Sequence, residues 1–182
     1  MNTKALLSSV VIATGLFFTT SLSAQTKVDF PSPSPLGSLK QRVGLTDIEI
    51  TYSRPSAKGR PIFGGLVPYG QIWRTGANAA TKISFSTPVT LNNTAIPAGE
   101  YSIFTIPDKE KWTIIVNNDL GLWGSYNYNS KRDELRFDIP VQSIQGDMYE
   151  QFTMQFDQRN ELADLQLLWD RVKISIPVKF IN

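Results

Sequence analysis

The chain has 182 residues, a net charge of +2 and neither cysteine nor histidine. Lack of cysteine excludes disulfides, thiol nucleophiles and cysteine metal sites, and lack of histidine excludes the Ser-His-Asp triad and the commonest zinc ligand. A net charge so close to zero gives no reason to expect nucleic acid or an anionic membrane as a partner.

The start of the chain has the pattern of a secretory signal peptide, which we assign to residues 1–24. Lys4 supplies a basic start, residues 5–20 carry no charge, and small residues lead up to Ala24. Cleavage after Ala24 removes 24 of 182 residues and leaves 158, enough for one domain with its own core. The uncharged run is short for a retained anchor. We therefore expect a periplasmic or secreted protein with no lipid-modified cysteine and no membrane span in the mature chain.

The mature chain is expected to begin with an extended lead-in over residues 25–40, which is rich in proline and serine. A single domain then covers residues 41–182. Its first clear element is the alternating polar and apolar stretch 47–52, which predicts a strand with one buried face.

That strand leads into residues 52–78, whose sequence is YSRPSAKGRPIFGGLVPYGQIWRTGAN. Proline and glycine recur throughout this segment, so most of it is predicted to be a shaped loop and not a regular element. It carries four cations and no aspartate or glutamate. Long ordered loops in compact domains usually have a function, so this loop is the first place to look for a site.

The rest of the chain reads as strands. Alternating or apolar runs occur at 81–86, 89–91, 101–106, 112–116, 135–139, 152–156, 165–169 and 172–178. Asn92-Asn93 predicts a hairpin turn, and the continuous run at 101–106 predicts a strand buried on both faces. Residues 162–172 also fit a helix, but the two-residue period that continues to Val178 favours strands. Eight to ten short strands predict an all-β domain, a single antiparallel β-sandwich of which a jelly roll is one form.

Several motifs in this order resemble a family of secreted bacterial proteins known as domain of unknown function 2911. They are the loop 52–78, PAGEYSIFTIP, KWTIIVNN, and WGSYNY with a downstream Asp133. The resemblance runs from about Leu36 to the C-terminus. It implies export and one compact domain, and it implies no mechanism, because the family has no established activity, ligand or catalytic residues.

The leading candidate site is an anion site in the loop 52–78. Guanidinium groups bind carboxylate, phosphate or sulfate in a bidentate manner, and glycine-rich turns bring backbone N–H groups to a ligand. The expected ligand-binding residues are Arg54, Lys58, Arg60, Tyr69, Trp73, Arg74 and Asn78. The structural alternative is a plug at one end of the sandwich, in which Phe63, Leu66, Tyr69, Ile72 and Trp73 pack and the arginines cap carbonyls or pair with Glu49 or Asp133. No glycine spacing typical of nucleotide binding is present.

A second candidate is the aromatic group Trp123, Tyr126 and Tyr128. Exposed tryptophan and tyrosine on a β-sandwich can stack on sugar rings. The alternative is that Trp123 packs in the core while the tyrosines line a strand face.

Carboxylate chemistry is a third possibility, since Glu100, Asp119, Asp133 and Glu134 lie near predicted turns. Two carboxylates across a cleft suit glycoside cleavage, but nothing in the sequence pairs these four. A Ser53–Lys58 nucleophile pair lacks the usual spacing, and residues 117–119 lack the acidic repeat of a calcium loop.

We therefore expect an exported β-sandwich that binds a small anion or a glycan at the loop 52–78 without catalysis. No metal and no cofactor is expected. The alternatives are a histidine-free hydrolase that uses Asp133 or Glu100, and an envelope module whose partner is another protein.

Overall fold

The structure is a computed structural model that describes residues 30–159 and 162–181. The segment expected to be a signal peptide lies outside these residues, as do residues 160 and 161 of the predicted turn at 158–161. The described part of the chain contains no helix with the length and apolar character needed to span a bilayer.

Twelve strands lie in the described residues, and the only helical element there is a 3₁₀ turn at Ser130–Arg132. The strands are β1 Leu36–Val43, β2 Thr46–Ser53, β3 Ala77–Phe85, β4 Val89–Leu91, β5 Thr94–Ile96, β6 Gly99–Ile106, β7 Lys111–Asn117, β8 Asp133–Pro140, β9 Gln142–Ser143, β10 Tyr149–Arg159, β11 Leu162–Asp170 and β12 Val172–Phe180. The prediction of an all-β chain is confirmed.

The strands form two antiparallel sheets. The first sheet has the order β1-β2-β3-β6-β7-β8, and the second has the order β10-β11-β12-β4-β5, with β9 also paired to β12. The apolar residues of each sheet that face the other sheet form one core, in which Ile50 of β2 and Leu167 of β11 are each 1% exposed. This arrangement is a β-sandwich, as the alternation in the sequence predicts.

Local sequence signals correspond to local structure at several places. Asn92 and Asn93 have φ angles of 47° and 65° and link β4 to β5, so the predicted hairpin turn is confirmed. Residues 101–105 of β6 are buried, as expected for a strand covered on both faces. The ambiguous stretch 162–172 is strand, with a turn at Asp170, whose φ is 54°.

Strand β1 lies partly within the segment where the sequence indicates only an extended lead-in. It is an edge strand that pairs with β2 along its whole length, from Leu36↔Ser53 to Val43↔Thr46. Its sequence, LGSLKQRV, alternates poorly because only Leu39 and Val43 face the core. The pairing with β2, and not its own pattern, makes this segment a strand.

Candidate functional site

The loop 52–78 is an ordered segment that is hydrogen-bonded to both sheets. The amide of Ala57 donates at 2.8 Å to the carbonyl of Glu150, which lies in β10 of the second sheet. Trp73 and Thr105 exchange two backbone hydrogen bonds of 2.7 and 2.9 Å, which attach the loop to β6 of the first sheet. The loop therefore closes one end of the sandwich.

Part of the loop is the aromatic plug that the structural alternative describes. Trp73 is 7% exposed, and its ring stacks on Trp169 of β11 at a centroid distance of 5.9 Å and an angle of 21°. It also meets Trp112 of β7 edge-on at 5.9 Å, and Phe63 of the loop lies 4.8 Å from Trp112. Its indole Nε1 donates to the carbonyl of Gly76 at 2.9 Å, so the only polar atom of the ring is satisfied.

Beside this plug, the loop forms an open cleft with a volume of about 220 Å³, which we call the Arg60–Arg74 cleft. It is lined by Ser34, Pro55, Arg60, Leu66, Val67, Trp73, Arg74, Gly76, Ala77 and Trp169. One wall is apolar, and two guanidinium groups supply the charge. Of the seven residues that the sequence singles out for an anion site, this cleft brings together Arg60, Trp73 and Arg74.

Arg74 has an unsatisfied donor at this cleft. Its Nε is buried and has no hydrogen-bond partner, one of only two such side-chain atoms among the described residues. A buried polar group without a partner costs about 1–3 kcal/mol, and most native structures avoid that cost. Because Arg74 also lines the cleft, its guanidinium is a candidate ligand contact.

Arg60 uses two of its guanidinium nitrogens to hydrogen-bond to backbone carbonyls of the loop. Its Nε donates to the carbonyl of Ala57 at 3.0 Å, and its Nη2 donates to the carbonyl of Ser56 at 2.6 Å. These two bonds fix the plane of the guanidinium. A guanidinium has five N–H donors, so a fixed fork still has donors to offer a ligand.

Neither cation of the cleft is neutralised by a described carboxylate. In residues 30–159 and 162–181, the ion pairs involve Lys40, Arg42, Lys82, Lys111, Arg132 and Arg136, and none involves a cation of the loop. Of the two roles that the structural alternative gives to the loop arginines, the structure shows the capping of carbonyls and not the pairing with carboxylates such as Glu49 and Asp133. Glu49 pairs with Lys40, and Asp133 pairs with Arg136.

The other four residues expected at the site lie elsewhere. Arg54 bridges to β10, where its Nε donates to the carbonyl of Phe152 at 3.2 Å and its Nη2 to Thr153 Oγ1 at 2.9 Å. It caps a carbonyl, as the structural alternative expects. Lys58 is exposed in a turn, with a φ of 50°.

Tyr69 and Asn78 also have local structural contacts. The ring of Tyr69 packs over Gly64, where an added Cβ would lie 2.6 Å from Tyr69 Cε2. Asn78 adopts a φ of 58°, and its Nδ2 donates to Ser53 Oγ at 3.3 Å. Neither residue lines the Arg60–Arg74 cleft.

The three secondary aromatic candidates divide into two kinds. Trp123 is 66% exposed and Tyr126 is 84% exposed, so Trp123 is not a core residue. Tyr128 is half-buried, and its ring covers Phe104 on the outer face of the first sheet at 5.1 Å. Its hydroxyl donates to Asp133 Oδ2 at 2.7 Å. Burial and this hydrogen bond raise the pKa of Tyr128 to about 12.

The candidate catalytic carboxylates each contact protein donors. Glu100 pairs with Lys82 at 2.7 Å, and Asp119 accepts from Arg132 Nε at 3.0 Å. Asp133 accepts hydrogen bonds from three side chains, those of Asn117, Tyr128 and Arg136. None of these carboxylates lines the Arg60–Arg74 cleft. Within the described residues, no group of three or more acidic, histidine or cysteine side chains could hold a metal ion.

Sequence reasoning missed two contributors to the cleft. Ser34 comes from the lead-in, and Trp169 comes from β11, nearly a hundred residues after the loop. The two-residue period of β11 predicts that Trp169 faces inward, but no signal in the sequence places it beside Arg74.

Comparison with known proteins gives one match. A family model described as a protein of unknown function (DUF2911) matches residues 34–178, which is most of the chain. No curated protein and no solved structure is significantly similar to the chain. The match confirms the resemblance that the motifs indicate.

Proposed function

The chain belongs to the DUF2911 family, and we propose that it is a non-catalytic binding protein for a small organic anion, held in the Arg60–Arg74 cleft. The observation that carries the proposal is the buried Nε of Arg74, which has no hydrogen-bond partner in the described part of the chain. Export, as predicted from residues 1–24, belongs to the same proposal.

A bound oxyanion would satisfy the orphaned donor and gain from two positive charges at once. Arg74 and Arg60 both line the cleft, and no described carboxylate neutralises either of them. Hydrogen bonds from a guanidinium to a charged acceptor stabilise by about 1.5–3 kcal/mol, more than neutral ones do. The ligand thus supplies the acceptor that the described part of the protein does not offer to Arg74 Nε.

The size and walls of the cleft limit what the anion carries. The volume of about 220 Å³ is below the range typical of pockets for drug-sized molecules, roughly 300–1,000 Å³. Pro55, Leu66 and Trp169 form apolar wall beside the cations. We therefore assign the cleft to a carboxylate or a phosphate monoester with a small apolar or ring-shaped body, and not to a polymer.

Calorimetric titration of the purified protein with acetate, benzoate, inorganic phosphate and phenyl phosphate tests this assignment. Benzoate or phenyl phosphate should bind more tightly than the matching anion without a ring, because only the ring contacts the apolar wall. Comparison of benzoate with phenyl phosphate then shows whether the cleft prefers a carboxylate or a phosphate. A ligand that binds only the folded state also raises the melting temperature. At 100 times its Kd it adds about 2.7 kcal/mol to the free energy of unfolding.

Two substitutions locate the site. Arg74→Met and Arg60→Met keep most of the aliphatic stem and remove the guanidinium, and each should weaken binding about tenfold or more. Lys58→Ala is the matched control, because Lys58 is an exposed cation of the same loop that does not line the cleft. The proposal is wrong if none of the four anions binds, or if Lys58→Ala reduces affinity as much as Arg74→Met does.

A further inference from the structure

A second groove, distinct from the Arg60–Arg74 cleft, lies on the outer face of the first sheet. It has a volume of about 220 Å³ and extends from Leu36, at the start of β1, to Gly121 in the segment that follows β7. Thr51, Ser53 and Lys82 of the central strands β2 and β3 form its floor. It shares no lining residue with the cleft.

Trp123 is paired through its backbone with a residue that lines this groove. Trp123 and Ala79 form an antiparallel β-bridge, and Ala79 is itself a lining residue. Residues directly opposite one another in an antiparallel pair project to the same side, with Cβ atoms roughly 4.5–5.5 Å apart. The indole therefore projects to the same side of the bridge as the side chain of Ala79.

The backbone around Trp123 is held firmly, although the ring itself is 66% exposed. The amide of Ala80 donates to the carbonyl of Leu122 at 2.9 Å, and the amide of Gly124 donates to the carbonyl of Asn78 at 2.9 Å. These bonds flank Trp123 on both sides. Its ring is thus presented to solvent by an ordered segment, which lowers the entropic cost of using it as a binding surface.

Tyr126 adds a second exposed ring to the same segment. It is 84% exposed, and its ring folds back over Gly124, where an added Cβ would lie 2.8 Å from Tyr126 Cε2. Ser125, between them, donates its hydroxyl to the carbonyl of Ile72 at 3.3 Å and anchors the segment to the loop 52–78. Neither ring of Trp123 and Tyr126 is needed to fill the core.

We propose that the groove and Trp123 together form a binding site for a neutral saccharide. One pyranose ring stacks its apolar face on the indole, while its hydroxyl groups face the polar floor of the groove. Aromatic rings pair well with ligands that have an apolar face and a polar edge. The hydroxyls of Thr51 and Ser53 line the floor as potential donors and acceptors.

The charges at the groove favour a neutral sugar over an anion. Lys82 is already paired with Glu100 at 2.7 Å, so the floor has no uncompensated cation. This is the opposite of the Arg60–Arg74 cleft, where two cations lack a described carboxylate partner. The two sites therefore select different chemistry and can be tested separately.

The position of the groove disfavours a protein strand as occupant. The floor belongs to β2 and β3, and both strands are already paired on each side within the sheet. The floor strands therefore offer no free edge to an added peptide, which needs such an edge to form backbone hydrogen bonds.

The test uses maltohexaose, cellohexaose and chitohexaose as probes, titrated by calorimetry into the purified protein. We expect at least one of them to bind and to change the tryptophan fluorescence. Trp123→Ala should weaken that binding about tenfold or more while leaving the melting temperature unchanged, because the side chain is mostly exposed. Leu45→Ala, which removes another large exposed apolar side chain, is the matched control and should bind like the parent.

Three results would overturn the proposal. The first is that none of the three oligosaccharides binds, and the second is that Trp123→Ala and the parent bind equally well. The third is that the parent self-associates in sedimentation and Trp123→Ala does not, which would make the exposed rings a contact between copies of this chain. Arg74→Met, which disables the anion cleft, should leave saccharide binding intact, so failure of either proposal is distinguishable from failure of the other.

Discussion

Tyr128 makes the stability of the folded state depend on pH. Its hydroxyl donates to Asp133 Oδ2 at 2.7 Å and accepts from Arg136 Nη2 at 2.6 Å. Burial of the phenol, followed by the hydrogen bond to Asp133, raises its pKa to about 12 from an ordinary value of 10.0. Because the folded state favours the neutral phenol, its contribution is fully present below about pH 10 and is lost as pH rises through 12.

Tyr128→Phe removes the titrating group and keeps the ring over Phe104. We expect the parent to lose more unfolding free energy than Tyr128→Phe between about pH 9 and about pH 12. Urea denaturation at both pH values measures the two losses. Other tyrosines and the lysines titrate in both proteins, so the difference isolates Tyr128, and equal losses would contradict the assignment.

At the scale of elements, the two-residue turn between β1 and β2 is fixed by a close approach. Gly44 has a φ of 59°, and an added Cβ there would overlap the ring of Phe180 on β12. The turn of the first sheet thus packs directly on the last strand of the second. This contact closes the sandwich at the end opposite β2's exit into the loop.

Gly44→Ala should therefore be more destabilising than a glycine substitution with backbone strain alone. Gly59→Ala is the matched control, since Gly59 has a φ of 68° and an added Cβ there meets no atom within 4 Å. We expect the control to cost about 1 kcal/mol of unfolding free energy and Gly44→Ala to cost about 1–3 kcal/mol more. Denaturant midpoints of the two variants measure the costs.

Equal costs for the two variants would mean that Phe180 moves aside freely. The contact between the β1–β2 turn and β12 would then contribute nothing to stability.

The sequence predicts most strands because each carries its own period. The alternation in 47–52 and 172–178 reports which face is buried, and Asn92-Asn93 reports a turn by its tolerance of positive φ. Edge strand β1 has no such period, because its conformation depends on its pairing with β2. A local pattern identifies an element only where the element's own residues determine it.

The candidate site is less accessible to sequence reasoning for the same reason. The composition of the loop 52–78 indicates a site and names its cations, but it does not indicate which of them converge. Arg54 hydrogen-bonds to β10, whereas Arg74 lines the cleft. The contacts of both side chains depend on where β10 and β11 lie. A local sequence pattern does not reveal contacts between residues that are nearly a hundred positions apart in the chain.

At the scale of the whole molecule, the loop is joined to the core through Trp73. Its ring lies 5.9 Å from Trp112 of the first sheet and 5.9 Å from Trp169 of the second, with Phe152 at 5.2 Å. One loop residue thus packs against both layers. Loss of this ring would leave a large cavity between the sheets.

Trp73→Ala should lower the unfolding free energy by about 3–5 kcal/mol, as expected for removal of a buried tryptophan. Thermal or urea denaturation measures the change. Trp123→Ala is the internal comparison, because the same substitution at an exposed position should leave stability nearly unchanged. Similar midpoints for the two variants would contradict the role of Trp73 in packing the loop against both sheets.

The attachment of the loop 52–78 to β10 has a consequence for the order in which parts of a newly synthesised chain can fold. Arg54 bonds to Phe152, 98 residues later, and Ala57 bonds to Glu150. Because a chain is synthesised from its N-terminus, the loop is made long before the strand that holds it. The cations and aromatic residues of the loop cannot take their final positions until the last third of the polypeptide has been synthesised. The Arg60–Arg74 cleft is therefore among the last features that a newly made molecule acquires, and a chain that ends before β10 lacks the strand that holds its loop.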